Sequence, residues 1–222
     1  MENAECLIPT FGALTNEDIE SINSNSHLIR HKSGETIFMQ DRPVSHLIFN
    51  KSGLVKLHKY LDDKSQIILD IIPGEEFIGL TSIFYDNLYP YSATSIEEGE
   101  LVYVNSQVFR DILSGNGKYS LQIITSLSSK IVFLINKMIA YTKKQVPGRL
   151  AEMLLHFSRN IYKNDEFSLP LSRQEIADLV RSTKETVSRT LSEFKNDRII
   201  EMDDKKFKLK SLDLLEILNK IG

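Results

Sequence analysis

From residue 118 to residue 144 the chain contains neither glycine nor proline. Within that stretch Ile124, Leu127, Ile131, Leu134, Met138 and Tyr141 recur at gaps of 3, 4, 3, 4 and 3. An α-helix turns every 3.6 residues, so this spacing draws one apolar seam along a helix of about 40 Å. A seam that alternates three and four over more than two heptads predicts pairing with a second helix. These six residues are the expected dimerisation contacts. A second set on an adjoining face, Leu121, Ser128, Val132, Ile135 and Ile139, is expected to meet a β domain. The competing reading is a core helix buried on both sides; the strict gaps and the length favour the dimer.

The segments flanking the helix differ in character. Upstream, from about residue 27 to 105, short apolar-polar runs alternate with turn residues. The runs cover 36–39, 46–50, 54–60, 66–72, 76–80, 91–95 and 100–105, and the turns include Asp41-Arg42-Pro43, Leu61-Asp62-Asp63-Lys64 and Pro73-Gly74. Many short strands with regular turns predict an antiparallel jelly roll or barrel. A short helix capped by Thr15 precedes it, and a helix capped by Ser106 and running through Leu113 follows. Downstream, Gln145-Val146-Pro147-Gly148 is expected to break the long helix as a hinge, and 149–161 resumes helical spacing. The expected organisation is therefore α+β: an antiparallel β jelly roll or barrel domain over 1–116, a dimerisation helix over 117–145 and a separate C-terminal domain over 146–222.

Composition narrows the function classes. With 222 residues, 41% hydrophobic and including 11 Phe and 8 Tyr, the chain has ample material for a packed core. No apolar run approaches the roughly 20 residues that span a bilayer, and the N-terminus lacks the features of a signal peptide. Cys6 stands alone, so neither an internal disulfide nor a Cys-ligated iron–sulfur cluster is expected, and a cytoplasmic location follows. From 146 to 222 there are 14 Lys and Arg against 13 Asp and Glu, whereas the rest of the chain carries a net charge of −4. Charge alone does not identify a nucleic-acid binder; the positions of the charges have to.

Those positions lie in 171–194. Two short helices are signalled there, each with a capping-box pattern: Ser172 with Glu175, and Ser182 with Glu185. Ile176, Ala177, Leu179 and Val180 give the first helix its apolar side, and Val187, Leu191 and Phe194 give the second its own. The free face of the second helix carries Thr183, Lys184, Glu185, Ser188 and Arg189. Two helices joined by a tight turn, with polar and cationic groups on the free face of the second, predict a helix-turn-helix. In a major groove Arg189 can donate two hydrogen bonds to guanine, Glu185 can accept from cytosine N4, and the two side chains, four apart, can orient each other. Further on, 198–202 and 206–210 flank Asp203-Asp204-Lys205 as a β-hairpin wing, with Lys208 available for phosphate.

These features together resemble the CRP/FNR family of bacterial transcription regulators over essentially the whole chain. The match is strongest over 171–191, in Ser-Arg-Gln-Glu-Ile-Ala and Glu-Thr-Val-Ser-Arg, and it extends to Pro147-Gly148-Arg149 and Phe77-Ile78-Gly79. It adds Arg173 and Gln174 to the expected DNA contacts. It also implies a homodimer, RNA polymerase as partner and, from Glu185…Ser188-Arg189, inverted repeats of TTGAT-like half-sites in double-stranded DNA. Lys184 stands where the cyclic-AMP-responsive branch carries Arg.

The resemblance also marks an effector pocket between the barrel and the long helix. The family's nucleotide site has a carboxylate after Phe-Ile-Gly and an arginine in Arg-Ser-Ala; here Leu80 and Tyr91-Ser92-Ala93 occupy those places. Leu134 and Ile135 replace the polar pair of the long helix. A phosphate left without its cation in a partly dry pocket costs several kcal/mol, so cyclic AMP is not the expected effector. Tyr91 is expected to fill the old phosphate site, with Ser92 as its hydroxyl's partner. No metal-ligand spacing is present. Haem stays open, because His27, His31, His46, His58, His156, Met39, Tyr91 or Cys6 could nominally ligate it. The leading expectation is an effector-controlled DNA-binding regulator, not an enzyme. The alternatives are a haem-dependent redox or gas sensor, a constitutive DNA binder and, less favoured, a cupin-like enzyme.

Overall fold

The computed structural model describes residues 5–61 and 65–221; the first four residues and the Asp62-Asp63-Lys64 part of the expected turn lie outside them. The fold is α+β, and the chain divides into two compact units, 1–131 and 132–222.

In the first unit, helix α1 (Asn16–Ser24) starts on a complete capping box. The Thr15 hydroxyl accepts from the Asp18 amide at 3.1 Å, and the Asp18 carboxylate accepts from the Thr15 amide at 2.9 Å. Eight strands follow: β1 (Ser26–His31), β2 (Thr36–Phe38), β3 (His46–Asn50), β4 (Val55–Tyr60), β5 (Gln66–Ile72), β6 (Glu76–Ile78), β7 (Ser92–Ser95) and β8 (Gly99–Asn105). They form two antiparallel four-stranded sheets, ordered β1-β8-β3-β6 and β2-β7-β4-β5. Leu47, Ile48, Val55, Ile72, Ile78, Val102 and Val104 of these strands belong to one buried core. Seven of these strands fall on the expected runs. β1 does not, because four of its six residues are exposed and no apolar-polar alternation marks it.

A second departure follows β6. Leu80, expected to end a strand, opens helix α2 (Leu80–Tyr85), because Gly79 at φ +78° turns the chain into the left-handed region. Helix α3 (Ser106–Gly115) is capped one residue earlier than expected. Asn105, not Ser106, accepts from the amides of Gln107 and Val108 at 2.9 and 3.2 Å.

Helix α4 (Gly117–Lys143) covers the expected stretch, but its buried stripe is neither of the two anticipated. Tyr119 and Ile123 are buried in the first unit's core and Leu127 packs against it. The gaps of four place these residues on a stripe that overlaps the edge of the expected seam at Leu127, which therefore serves the barrel core and not the partner helix. Ile124, Ile131, Leu134 and Met138 of the expected seam are exposed, and so are Leu121, Val132, Ile135 and Ile139 of the second set. Within the first unit, Leu121 of the second set is therefore not on the face that meets the barrel. By length and composition α4 is also long and apolar enough to cross a bilayer. Its Lys130, however, is tied to Asp70 and Glu76 of the barrel.

In the second unit the break between helices lies at Lys144-Gln145, not at Pro147. Gln145 precedes helix α5 (Val146–His156), and Pro147 sits in its first turn, where its missing N–H has no helical partner to lose. A π-helical turn over Phe157–Tyr162 follows, ended by Lys163 at φ +52°. Strand β9 (Glu166–Ser168) comes next. Helices α6 (Arg173–Leu179) and α7 (Lys184–Asn196) come next, then the expected hairpin, β10 (Ile200–Asp203) and β11 (Lys206–Leu209), and finally α8 (Leu212–Ile221). β9 pairs with β11, so the wing is a three-stranded sheet. Phe157, Phe167 and Phe207 stack at 6.4 and 6.1 Å between centroids, with Tyr162 at 5.2 Å from Phe167, joining the end of α5 to the wing.

Two loops of the barrel pack without room for a side chain. A Cβ at Gly99 would lie 1.9 Å from the Ser52 carbonyl oxygen, and both neighbouring obstacles are backbone. Gly99→Ala should therefore destabilise the barrel by about 3 kcal/mol or more, at the upper end of overpacking costs. Urea unfolding checks this, with a midpoint unchanged from wild type as the contrary result.

Candidate nucleic-acid interface

Helix α6 begins on the expected box: the Ser172 hydroxyl accepts from the Glu175 amide at 3.2 Å, and the Glu175 carboxylate accepts from the Ser172 amide at 2.9 Å. Helix α7 is capped differently. Thr183 is its N-cap and accepts from the Thr186 amide at 3.2 Å, so the expected Ser182–Glu185 box does not form. The one-residue shift leaves Glu185 in the first turn with its carboxylate exposed, where the helix dipole favours a negative charge.

Packing holds the two helices as predicted. Ile176, Ala177, Leu179, Val180, Val187, Leu191 and Phe194 are buried. Thr190, missed as an inner residue because it is polar, is also buried; its hydroxyl donates to the Thr186 carbonyl at 3.0 Å. Thr183, Lys184, Glu185 and Arg189 are exposed, and Ser188 is half-buried. Arg189 does not pair with Glu185. Its nearest carboxylate is that of Glu193 at 3.8 Å, and both side chains are more than half exposed, so this pair leaves the guanidinium available.

Other expected contacts are committed within the unit. Arg173 donates to the Asp204 carbonyl at 3.0 Å and to Met202 Sδ, and its guanidinium lies 5.5 Å from the Phe207 ring centroid. Burial holds its pKa below the ordinary arginine value. Gln174 donates to the Asp178 carboxylate at 2.7 Å. Lys208 pairs with Glu166 at 2.9 Å on an exposed edge, which raises the lysine pKa and lowers that of the carboxyl.

The turn between α6 and α7 has a support that sequence spacing did not suggest. Arg181 takes φ +51°, a region few side chains adopt. Around it, Arg149 donates to the carbonyls of Val180 at 2.7 Å and Arg181 at 3.2 Å, and also to that of Lys144. Tyr141 donates to the Leu179 carbonyl at 3.0 Å, and the Arg181 guanidinium lies 4.7 Å from the Tyr141 ring centroid. The last turn of α4, the first turn of α5 and the turn before α7 are thus clasped together. Tyr141, placed on the dimer seam by its spacing, serves this clasp. Only the Arg149 of Pro-Gly-Arg hinted at it.

In the first unit, Leu80 is buried and Ser92 accepts from the Gln40 amide at 3.0 Å, so Ser92 does not serve Tyr91. Burial pushes the Tyr91 hydroxyl pKa up, while hydrogen bonds with Thr81 and the Gly79 backbone pull against that. Leu134 and Ile135 belong to the second unit and are exposed. Of the histidines, His58 Nε2 lies 2.9 Å from the Thr94 hydroxyl, His31 Nε2 lies 2.9 Å from that of Tyr103, and His46 Nδ1 lies 2.8 Å from that of Ser45. Among the described residues no group of three His, Cys, Asp or Glu is placed to hold a metal ion.

Comparison with known proteins accounts for both halves. A family described as "Cyclic nucleotide-binding domain" matches residues 28–116, and one described as "Crp-like helix-turn-helix domain" matches residues 148–218. The chain is 27% identical over 176 residues to a "CRP-like cAMP-activated global transcriptional regulator" of Mycobacterium tuberculosis, covering 78% of this chain and 79% of that protein. It is 25% identical over 210 residues to the "Transcriptional activator protein anr" of Pseudomonas aeruginosa, covering 92% and 85%. The solved structure of FixK2 from Bradyrhizobium japonicum shares the fold, with a TM-score of 0.79 at 20% identity over 87% of this chain and 97% of that one. With a barrel and a helix-turn-helix each matched in the expected order, the chain belongs to the CRP/FNR family of DNA-binding transcription regulators.

Proposed function

We propose that the chain acts in the cytoplasm as a homodimer that sets the α7 helices of its two copies into successive major grooves of an inverted repeat. The observation that carries this reading is the exposed face of α7, where Glu185, Ser188 and Arg189 stand beside Lys184 with no structural task that would hold them back. That face favours TTGAT-like half-sites, with Arg189 on guanine and Glu185 on cytosine. A two-fold dimer matches half-sites about 34 Å apart. The exposed apolar stripes of α4 support the pairing: Ile124, Ile131, Leu134 and Met138 recur on one face and have no cover in the single chain. RNA polymerase is the partner that a regulator of this family implies.

The effector reading rests on the barrel. Cyclic AMP is named for the mycobacterial relative, yet Leu80 and Tyr91 stand where this family places its carboxylate and guanidinium. The chain is therefore controlled by an effector other than cyclic AMP, or it binds DNA without one. The second alternative gains from Tyr91, whose largely buried hydroxyl is already engaged by Thr81 and Gly79.

Fluorescence anisotropy with an inverted repeat and a scrambled duplex tests the DNA reading. Arg189→Ala should lose about 1–3 kcal/mol of discrimination per half-site, whereas Lys208→Ala should weaken both duplexes alike. Arg173→Ala should lower stability by about 1–2 kcal/mol through lost hydrogen bonds and packing, with base preference intact. Equal wild-type affinity for both duplexes would sink the assignment. For assembly, Leu134→Asp puts a carboxylate into the proposed seam and should weaken dimerisation about 100-fold or more. Sedimentation velocity reads this directly, and a variant that stays dimeric would move the interface elsewhere.

A further inference from the structure

The successive carbonyls of Leu179, Val180 and Arg181 are all held by side chains from α4 and α5. Tyr141 donates to the first, and Arg149 to the second and third. Arg181 itself stands at φ +51°, where glycine fits freely and a side chain is strained. Its exposed guanidinium lies 4.7 Å from the Tyr141 ring centroid, within reach of a cation–π contact. Two residues later Thr183 caps α7, and Glu185, Ser188 and Arg189 occupy the first two turns of that helix. Val187, Leu191 and Phe194 seat the inner face of α7 in the core, while the Arg181 turn sets how the helix enters.

We infer that Arg181 is a positioning residue for base reading: stacked on Tyr141, it fixes the entry of α7 and so the aim of Glu185, Ser188 and Arg189. The inference deepens the DNA-binding reading and rests on it. Arg181 acts here through Tyr141 and not as a phosphate ligand. Glycine at this position would suit the left-handed backbone and keep the carbonyl bonds, but it would lose the stacked contact and let the turn pivot. Phosphate contacts carry no base information and survive a small displacement of the helix. Bidentate contacts with base edges need fixed geometry and do not. A strained residue kept at the entrance to the reading helix is therefore part of how that helix works.

Fluorescence anisotropy with the inverted repeat and the scrambled duplex, alongside urea unfolding, tests this. Arg181→Gly should keep an unfolding midpoint close to that of wild type, because relief at φ +51° offsets the lost stacking. It should lower the preference for the repeat about tenfold over the two half-sites together. Tyr141→Leu, which removes the ring, should lower the preference at least as much, and Tyr141→Phe, which keeps it, should do less. The double variant Arg181→Gly with Tyr141→Leu should lose little beyond Tyr141→Leu alone, since both substitutions break one contact. A phosphate role gives the opposite pattern: Arg181→Gly weakens both duplexes alike and lowers the salt slope by about 1 per subunit. That pattern, an unchanged preference in Arg181→Gly, a preference that falls only along with the midpoint, or additive losses in the double variant would each overturn the inference. A wild type that never prefers the repeat would instead defeat the DNA reading. Hydrogen exchange then decides the clasp without DNA, at the Arg181 and Ser182 amides, which donate to the Asp178 and Ala177 carbonyls at 3.2 and 2.9 Å. Exchange about threefold faster or more in Tyr141→Leu upholds it, and wild-type exchange overturns it.

Discussion

The constraint on which the rest of this structure depends is the amount of apolar surface on α4. A 27-residue helix cannot be covered by one small sheet sandwich, and here its residues serve different neighbours in turn. Tyr119, Ile123 and Leu127 are taken by the barrel; further along, Ala140 and Tyr141 are taken by the DNA-reading unit. Eight large apolar side chains from Leu121 to Ile139 remain exposed. Burying one such side chain contributes about 1.5–3 kcal/mol, so covering most of them would offset a cost of association estimated at about 4–15 kcal/mol. This supports the paired state that the proposed function needs.

At the far end of α4 the same economy of side chains holds the recognition helix. A turn with Arg181 in the left-handed region is costly to keep, and three carbonyls on or beside it, of Leu179, Val180 and Arg181, receive donors from Tyr141 or Arg149. Arg149 also reaches back across the helix break to the Lys144 carbonyl. The break is therefore spanned by a guanidinium and does not act as a free joint. A change in the last turn of α4 reaches α7 through hydrogen bonds, without relying on chain connectivity alone.

Much of this was legible because it depends on periodicity and caps. The heptad gaps announced α4, the Thr15 and Ser172 boxes located α1 and α6, and the alternating runs marked seven of eight strands. What escaped depends on partners remote in sequence. β1 shows four exposed residues, so its strand character comes from pairing with β8 and not from its own pattern. β9 is three residues long and is recruited by β11. Arg173 stood among the expected DNA contacts until Phe207 and the Asp204 carbonyl, about thirty residues away, claimed it. Glu185 and Arg189 share a face as their spacing required. Which carboxylate Arg189 prefers was decided by Glu193, an equally valid neighbour four residues on.

The π-helical turn at the end of α5 has a consequence for how this half of the chain tolerates change. It inserts one residue beyond α-helical spacing just where Phe157 and Tyr162 enter the stack that runs through Phe167 to Phe207 and ends under Arg173. Losing that residue would return the segment to α-helical phase and swing every later side chain by about 100° around the axis. Tyr162 would leave the aromatic column, and the strand that closes the wing would begin in the wrong phase. Single-residue insertions and deletions are ordinarily absorbed at the ends of helices. Here the helix end is a phase-setting element, so a length change would be felt at the wing while substitutions in the same segment could pass.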